Sequence, residues 1–470
     1  MVFSSALFIF GFAPVFFFCY FLVPERGRNS VILVASILFY AVGAGTVALV
    51  LAGSVWLNQF VARRLVVSDG KNSARLLAMG VGLNLAALIY YKYTAFGWNT
   101  VATIFQGLAH VSLGSAPQIV LPIGISFFTF QGISYIIDVH RRRVLPAPGY
   151  FDFAIYHTLF PQLIAGPIVR YIEIQDQLYR RSVNLGQLTE GAYRFCLGLG
   201  KKIVIADNLG NLADQIIKLP NHELTCGHAW LGILCYSFQI YYDFSGYSDM
   251  AIGLGKLLGF DFPENFNQPY RSANITEFWR RWHMTLSRWF RDYVYIPLGG
   301  NRRGPSRTYF NLAVVFILCG LWHGAGLNFL IWGMYHGVLL VIERLLDRHL
   351  HWRPRGPLAV AVTFALVMIG WVFFRIDDLG AAFTYLRAMF FVGTADIIYF
   401  PVGYFLTVDT VTYLAIATLF AFLPIEKLAA LRPDRLGLFS GQLCFGIFSF
   451  GLSLVQLASN SFNPFIYFRF

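Results

Sequence analysis

The chain has 470 residues, of which 57% are hydrophobic, 17% aromatic and only 13% charged, and its mean hydropathy is +0.58. Soluble globular chains carry about 25% charged residues, so this composition excludes a soluble enzyme, a disordered tail and a secreted disulfide scaffold, and it predicts an all-α polytopic integral membrane protein. The 36 Lys and Arg against 24 Asp and Glu give a net charge of +12. The bases cluster in short loops between apolar spans, a pattern of membrane orientation and anionic lipid contact rather than of nucleic-acid binding.

A span needs about 20 apolar residues. Residues 3–22 make the first, and with no basic residue before the apolar run and no small-residue cleavage site after it, this helix is expected to be retained. Residues 29–65 are too long for one helix, and the uncharged Val42-Gly-Ala-Gly45 reads as a hairpin turn. Further apolar stretches lie near 76–93, 119–138, 152–169, 189–206, 229–254, 309–345 (two segments), 357–374, 403–423 and 439–458. The expectation is about eleven to thirteen membrane segments, some of them re-entrant. Arg26 and Arg28, Arg63 to Arg75, Arg141 to Arg143, Arg344 to Arg355 and Arg432 to Arg435 can share one side, taken as cytoplasmic. No repeat or linker is visible, so residues 1–470 read as one integral domain. The six cysteines stand singly and read as apolar fillers, with neither a disulfide nor a metal site expected.

Two stretches break the simple pattern. Between His140 and Lys202 the chain mixes apolar patches with Arg and Pro, which suits shallow or re-entrant helices. Residues 261–308 are too polar for hydrocarbon, yet rich in Trp and Arg. Read as one helix, residues 276–293 place Phe278, Trp282, Leu286, Trp289 and Tyr293 on one face and Arg280, Arg281, Arg288 and Arg291 on the other. Such a helix lies in the membrane interface, its Arg face meeting lipid phosphates or lining a site for a phosphorylated ligand. His283 falls on the border between the two faces.

Within 310–337, an apolar run carries His323 about 24 Å along a helix that starts after Arg307. Gly-Ala-Gly at 324–326 then interrupts it. A titratable group at that depth is expensive and points to function, and imidazole can serve as a general base near neutral pH. The bland alternative is a core histidine bonded to a backbone carbonyl freed by the break. His336, thirteen residues on, is a weaker candidate. Asp243 and Asp249 sit six apart, about 120° around a helix. That is poor geometry for an acid–base pair, and it points to partners that organise the interior.

Several motifs together resemble the membrane-bound O-acyltransferases. These are Asp243-Phe-Ser-Gly-Tyr-Ser-Asp249, Asn265-Phe-Asn-Gln-Pro-Tyr270, Phe278-Trp-Arg-Arg-Trp-His283 and Tyr293-Val-Tyr-Ile-Pro-Leu-Gly-Gly300. Met1-Val-Phe-Ser-Ser5, Leu121-Pro-Ile-Gly-Ile-Ser126, Leu321-Trp-His-Gly324 and the closing Asn463-Pro-Phe-Ile-Tyr-Phe-Arg-Phe470 resemble the bacterial branch that acetylates polysaccharides such as alginate. The resemblance spans the chain, with its core within 239–337.

It implies His323 as the intramembrane catalytic histidine and His283 as the second histidine of the core, with Trp322 beside them. It also implies acetyl-CoA as acyl donor with no bound cofactor, its phosphates drawn by Arg280, Arg281, Arg288 and Arg302. The further implications are a multi-pass protein of the bacterial inner membrane with its helices around a central funnel, a periplasmic SGNH-type or related partner, and a polysaccharide acceptor. His323 would either take a proton from an incoming hydroxyl or carry the acetyl group itself. A related acyltransferase with a D-alanyl or fatty acyl payload is the alternative. A secondary transporter with a histidine relay is disfavoured by the lack of paired half-repeats.

Overall fold

A computed structural model describes residues 1–391, 399–423, 435–459 and Phe465, with only the backbone described for 435–440. Arg432 and, apart from Phe465, the closing Asn463–Phe470 motif lie outside the described residues. Among the described residues the regular structure is helical throughout. The backbone falls into two compact units, Met1–Gln187 with Gly255–Pro263, and Leu188–Leu254 with Glu264–Phe470.

In the first unit, a π-helical turn (Leu7–Phe12) leads into α1 (Ala13–Leu22), followed by α2 (Glu25–Ala44) and α3 (Ala48–Val66). The chain breaks between α2 and α3 at Gly45, φ +55°, within the expected turn. α4 (Gly70–Ala109) runs well beyond the expected 76–93, because no proline interrupts residues 94–109. α5 (Ile125–His140) is buried nearly all round, its Ser126, Thr129, Gln131, Ser134 and Asp138 enclosed with its apolar residues. Short helices α6 (Tyr150–Thr158), α7 (Phe160–Leu163) and α8 (Tyr171–Ile174) replace a full span in the Pro-containing stretch after His140. The core closes on a polar clasp, in which Tyr135 Oη donates to Gln59 Oε1 at 2.7 Å and Gln59 Nε2 to the Ala147 carbonyl at 2.7 Å.

The second unit holds the candidate site. α9 (Leu185–Gly200) passes through a π-helical turn (Lys201–Ala206) into α10 (Asp207–Ile217), and α11 (Cys226–Leu257) follows. α9 and α11 cross at Gly198 and Gly246, where a side chain on either glycine would strike the backbone of the other helix. α12 (Ile275–Arg281), α13 (Met284–Phe290), α14 (Pro305–His323), α15 (Leu327–Leu350), α16 (Gly356–Arg375) and α17 (Leu379–Met389) come next. The described part ends with α18 (Val402–Phe405), α19 (Val408–Phe422) and α20 (Arg435–Ser459).

Among the described residues, five helical stretches are long and apolar enough to cross a membrane: Glu25–Val66, Gly70–Ala109, Leu327–Leu350, Gly356–Arg375 and Gly441–Ser459, with shorter apolar helices at Leu7–Leu22 and Val408–Phe422. The chain is a multi-pass membrane protein. α11 is not among the five because its Asp, Ser and Tyr side chains lower its hydropathy. They are tolerated because they are buried in protein.

Candidate active site

The single helix expected over 276–293 is not formed. α12 ends at Arg281, α13 begins at Met284, and His283 between them takes a left-handed conformation with φ +42° and ψ +54°. A non-glycine residue in that region is uncommon, histidine less so than most. Two backbone hydrogen bonds hold the break, Asn267 N–H to the Arg281 carbonyl and Met284 N–H to the Asn265 carbonyl, each 2.9 Å. The start of α12 is fixed as firmly. Asn274 Oδ1 accepts from Glu277 N–H at 2.7 Å, and Glu343 from α15 accepts from Ile275 and Thr276 N–H.

The break turns His283 inward, so the expected border position on an amphipathic helix gives way to complete burial. Its Nδ1 lies 3.0 Å from Asn265 Oδ1. The ring meets Phe244 edge-on at 4.7 Å between centroids and Trp322 at 5.8 Å. His283 lies outside the membrane-crossing helices, and burial pushes its pKa well below the usual imidazole value, leaving the ring neutral at physiological pH.

His323 is the last residue of α14 and is 2% exposed. The interruption expected at 324–326 is present, with Gly324 and Gly326 extended before α15 starts. Nineteen residues of α14 place His323 about 28 Å from the start of that helix. Trp322, Trp332 and Phe374 surround its ring with centroids at 4.9, 5.0 and 5.1 Å. His283 and His323 therefore both border the Trp322 indole. His336 joins from α15, 5.2 Å from both Trp332 and Trp279, with neither ring nitrogen hydrogen-bonded among the described residues. The three histidines thus line one buried aromatic row, linked by Trp322 and Trp332.

The aspartates are organisers in this geometry. Asp243 receives Lys202 at 2.9 Å, while Asp249 takes Arg194 at 2.7 Å and Lys201 at 2.6 Å. Arg194 also forks onto Glu264 through two bonds of 3.0 and 2.6 Å.

The four candidate arginines part company. Arg280 is exposed on a cavity of about 850 Å3 that Arg344, Arg348, Arg355 and Trp352 also line. The acids of that cavity are engaged: Glu277 with Arg281, Glu343 with the amides of α12, Asp347 with Arg353. Among the described residues, Arg280, Arg344, Arg348 and Arg355 are left without a carboxylate partner. Arg281 bonds Glu277 Oε1 at 3.0 Å and the Asn267 carbonyl at 3.2 Å. Arg288 is half-buried on α13, and Arg302 is exposed between Gly300 and α14; neither lines the cavity.

A second cavity of about 650 Å3, walled by apolar residues of α9, α11, α19 and α20, has Ser248 and Asn265 among its lining. Sequence reasoning did not single out Asn265, Trp332 or the arginines of 344–355 as site residues. Asn265 stands in a quoted motif, but no local signal separates it from its neighbours.

The family model for membrane-bound O-acyltransferases matches residues 87–376. A probable alginate O-acetylase AlgI of Pseudomonas aeruginosa is 47% identical over 400 residues, covering 84% of this chain and 76% of the relative. A peptidoglycan O-acetyltransferase of Helicobacter pylori is 37% identical over 425 residues, covering 83% and 80%. A teichoic acid D-alanyltransferase of Bacillus subtilis is 30% identical over 274 residues, covering 54% and 68%. With more than half of its length matched and such relatives along most of it, the chain belongs to the membrane-bound O-acyltransferase family.

Proposed function

We propose that this O-acyltransferase takes acetyl from cytoplasmic acetyl-CoA and passes it across the bacterial inner membrane for O-acetylation of an exopolysaccharide such as alginate. The observation that carries the reading is the placement of His283 and His323 on either side of Trp322, both buried, one at a helix break and the other at a helix end about 28 Å from its start. Transfer forms a C–O bond, breaks the thioester C–S bond and moves one proton from the acceptor hydroxyl to the departing thiolate. A buried imidazole pair is suited to carry that proton, with His323 the member nearer the glycine break. A covalent acyl-imidazole on His323 is the other route open to the same geometry. The names of the O-acetylating relatives support acetyl as payload.

The cavity at Arg280 supports a phosphate-bearing donor: four arginines without carboxylate partners supply charge, and Trp352, 51% exposed, supplies a stacking face. The acceptor hydroxyl belongs, in this reading, to a periplasmic SGNH-type partner or to the polymer itself.

Inverted membrane vesicles containing the protein and its native neighbours, given labelled acetyl-CoA, provide the test. Alkali-labile label should appear in polymer and fall at least 10²-fold in His323→Ala, with the variant expressed and folded. Undiminished label in the variant removes His323 from the chemistry. Absence of label from folded wild type, with label from a D-alanyl donor instead, would replace acetyl as the payload.

A further inference from the structure

Asn265 is wholly buried, and it makes more bonds than a loop asparagine needs for its own place in the fold. Its Oδ1 lies 3.3 Å from the Thr285 backbone N–H, 2.8 Å from Thr285 Oγ1 and 3.0 Å from His283 Nδ1. On the other side its Nδ2 donates to Ser248 Oγ at 3.1 Å. The backbone N–H of Thr285 can only donate, so it settles which amide atom faces it: the oxygen. An amide oxygen can only accept, so His283 Nδ1 must supply the proton of that bond. A neutral imidazole has one N–H, and with it on Nδ1 the lone pair lies on Nε2.

We infer that Asn265 is a positioning residue that fixes the Nδ1–H tautomer of His283 and so makes His283 Nε2 a proton acceptor rather than a hydrogen-bond donor to the thioester carbonyl. In the transfer step the hydroxyl proton reaches Nε2 as the C–O bond forms. The imidazolium so made is held by Nδ1–H on Asn265, and the proton leaves to the thiolate as the C–S bond breaks. This rests on the reading that His283 belongs to the acyl-transfer machinery. The side chains described against its ring are Phe244 of α11, Phe266 of the 264–268 segment and Trp322 of α14, none of which titrates. The charged side chains that line the same cavity as Asn265, namely Arg194, Lys201, Asp249 and Glu264, are paired with one another, so a charge placed at residue 265 is read on His283 against that fixed background.

Two measurements test the assignment. In 15N-histidine-labelled wild-type protein in lipid, the signal lost in His283→Gln should be that of a ring protonated at Nδ1 and bare at Nε2; a proton on Nε2 overturns the inference. Asn265→Asp keeps an acceptor for His283 and Thr285, and the Ser248 hydroxyl can turn to donate to it. The new negative charge raises the His283 pKa, so the acidic limb of the pH profile should move to higher pH while turnover stays within about tenfold of wild type. Asn265→Ala should lose on the order of a hundredfold in turnover, the scale of losing the group that orients a histidine. A merely structural Asn265 leaves the profile of Asn265→Asp unmoved, and that result also overturns the inference. Failure of the underlying reading looks different: His283→Ala would then transfer acetyl at the wild-type rate.

Discussion

Arg280 and Arg281 are adjacent in sequence and equal in charge, yet their surroundings separate them. Arg281 is spent on Glu277 and the Asn267 carbonyl, and so ties α12 to the segment that positions His283. Arg280 has no carboxylate partner among the described residues and lines the cavity shared with Arg344, Arg348 and Arg355. Losing one charged contact to a phosphate costs about 1.4 kcal/mol, a factor of ten in affinity. Arg280→Ala is therefore expected to raise the donor KM about tenfold with kcat near wild type. Arg281→Ala should leave the KM near wild type and lower the melting temperature. Steady-state kinetics in the donor, paired with melting curves, check this; equal KM values for the two variants would return Arg280 to plain contact with lipid phosphate.

At the level of elements, the α14–α15 hairpin is what puts His323, Trp332 and His336 side by side. Its two helices approach through glycine: a Cβ on Gly320 would strike the Phe329 carbonyl, and one on Gly333 the Phe316 carbonyl. These obstacles are backbone atoms and cannot swing aside. Gly320→Ala and Gly333→Ala should each destabilise the protein by about 1–3 kcal/mol, the usual cost of overpacking. Acyl transfer should fall with them, because the helix shift moves His323 away from Trp332. Unfolding midpoints in detergent provide the measurement, and wild-type midpoints for both variants would mean that the crossing is looser than this geometry.

For the whole molecule, the excess of basic residues sets an orientation. The segment from Arg344 to Arg355 carries four arginines within twelve residues at the end of a membrane-crossing helix, and that density predicts a cytoplasmic location. With the six native cysteines replaced, Trp352→Cys should react with a membrane-impermeant maleimide in inverted vesicles and stay unlabelled in intact spheroplasts. The opposite pattern would put the arginine cavity on the far side from any cytoplasmic donor.

The sequence by itself determined the membrane class, the placing of His323 far along its helix and the glycine break after it. Those signals are local: composition over a window, a fixed rise per residue and a run of residues without side-chain bulk. It also showed that Asp243 and Asp249 diverge, since helical periodicity fixes the angle between them; their partners Arg194, Lys201 and Lys202 come from another part of the chain and leave no periodic trace. The family, too, was legible, because its motifs are short and contiguous. Only the tertiary structure decided the fate of His283. Periodicity favours one helix through residues 276–293, and the left-handed turn in its middle exists because the backbone of Asn265 and Asn267 offers hydrogen bonds that a continuous helix would forgo. The arginine cavity was likewise decided by packing, since α12 and the end of α15 are some seventy residues apart in the chain and meet where Glu343 caps the first turn of α12 and Trp279 packs on Trp332 and His336.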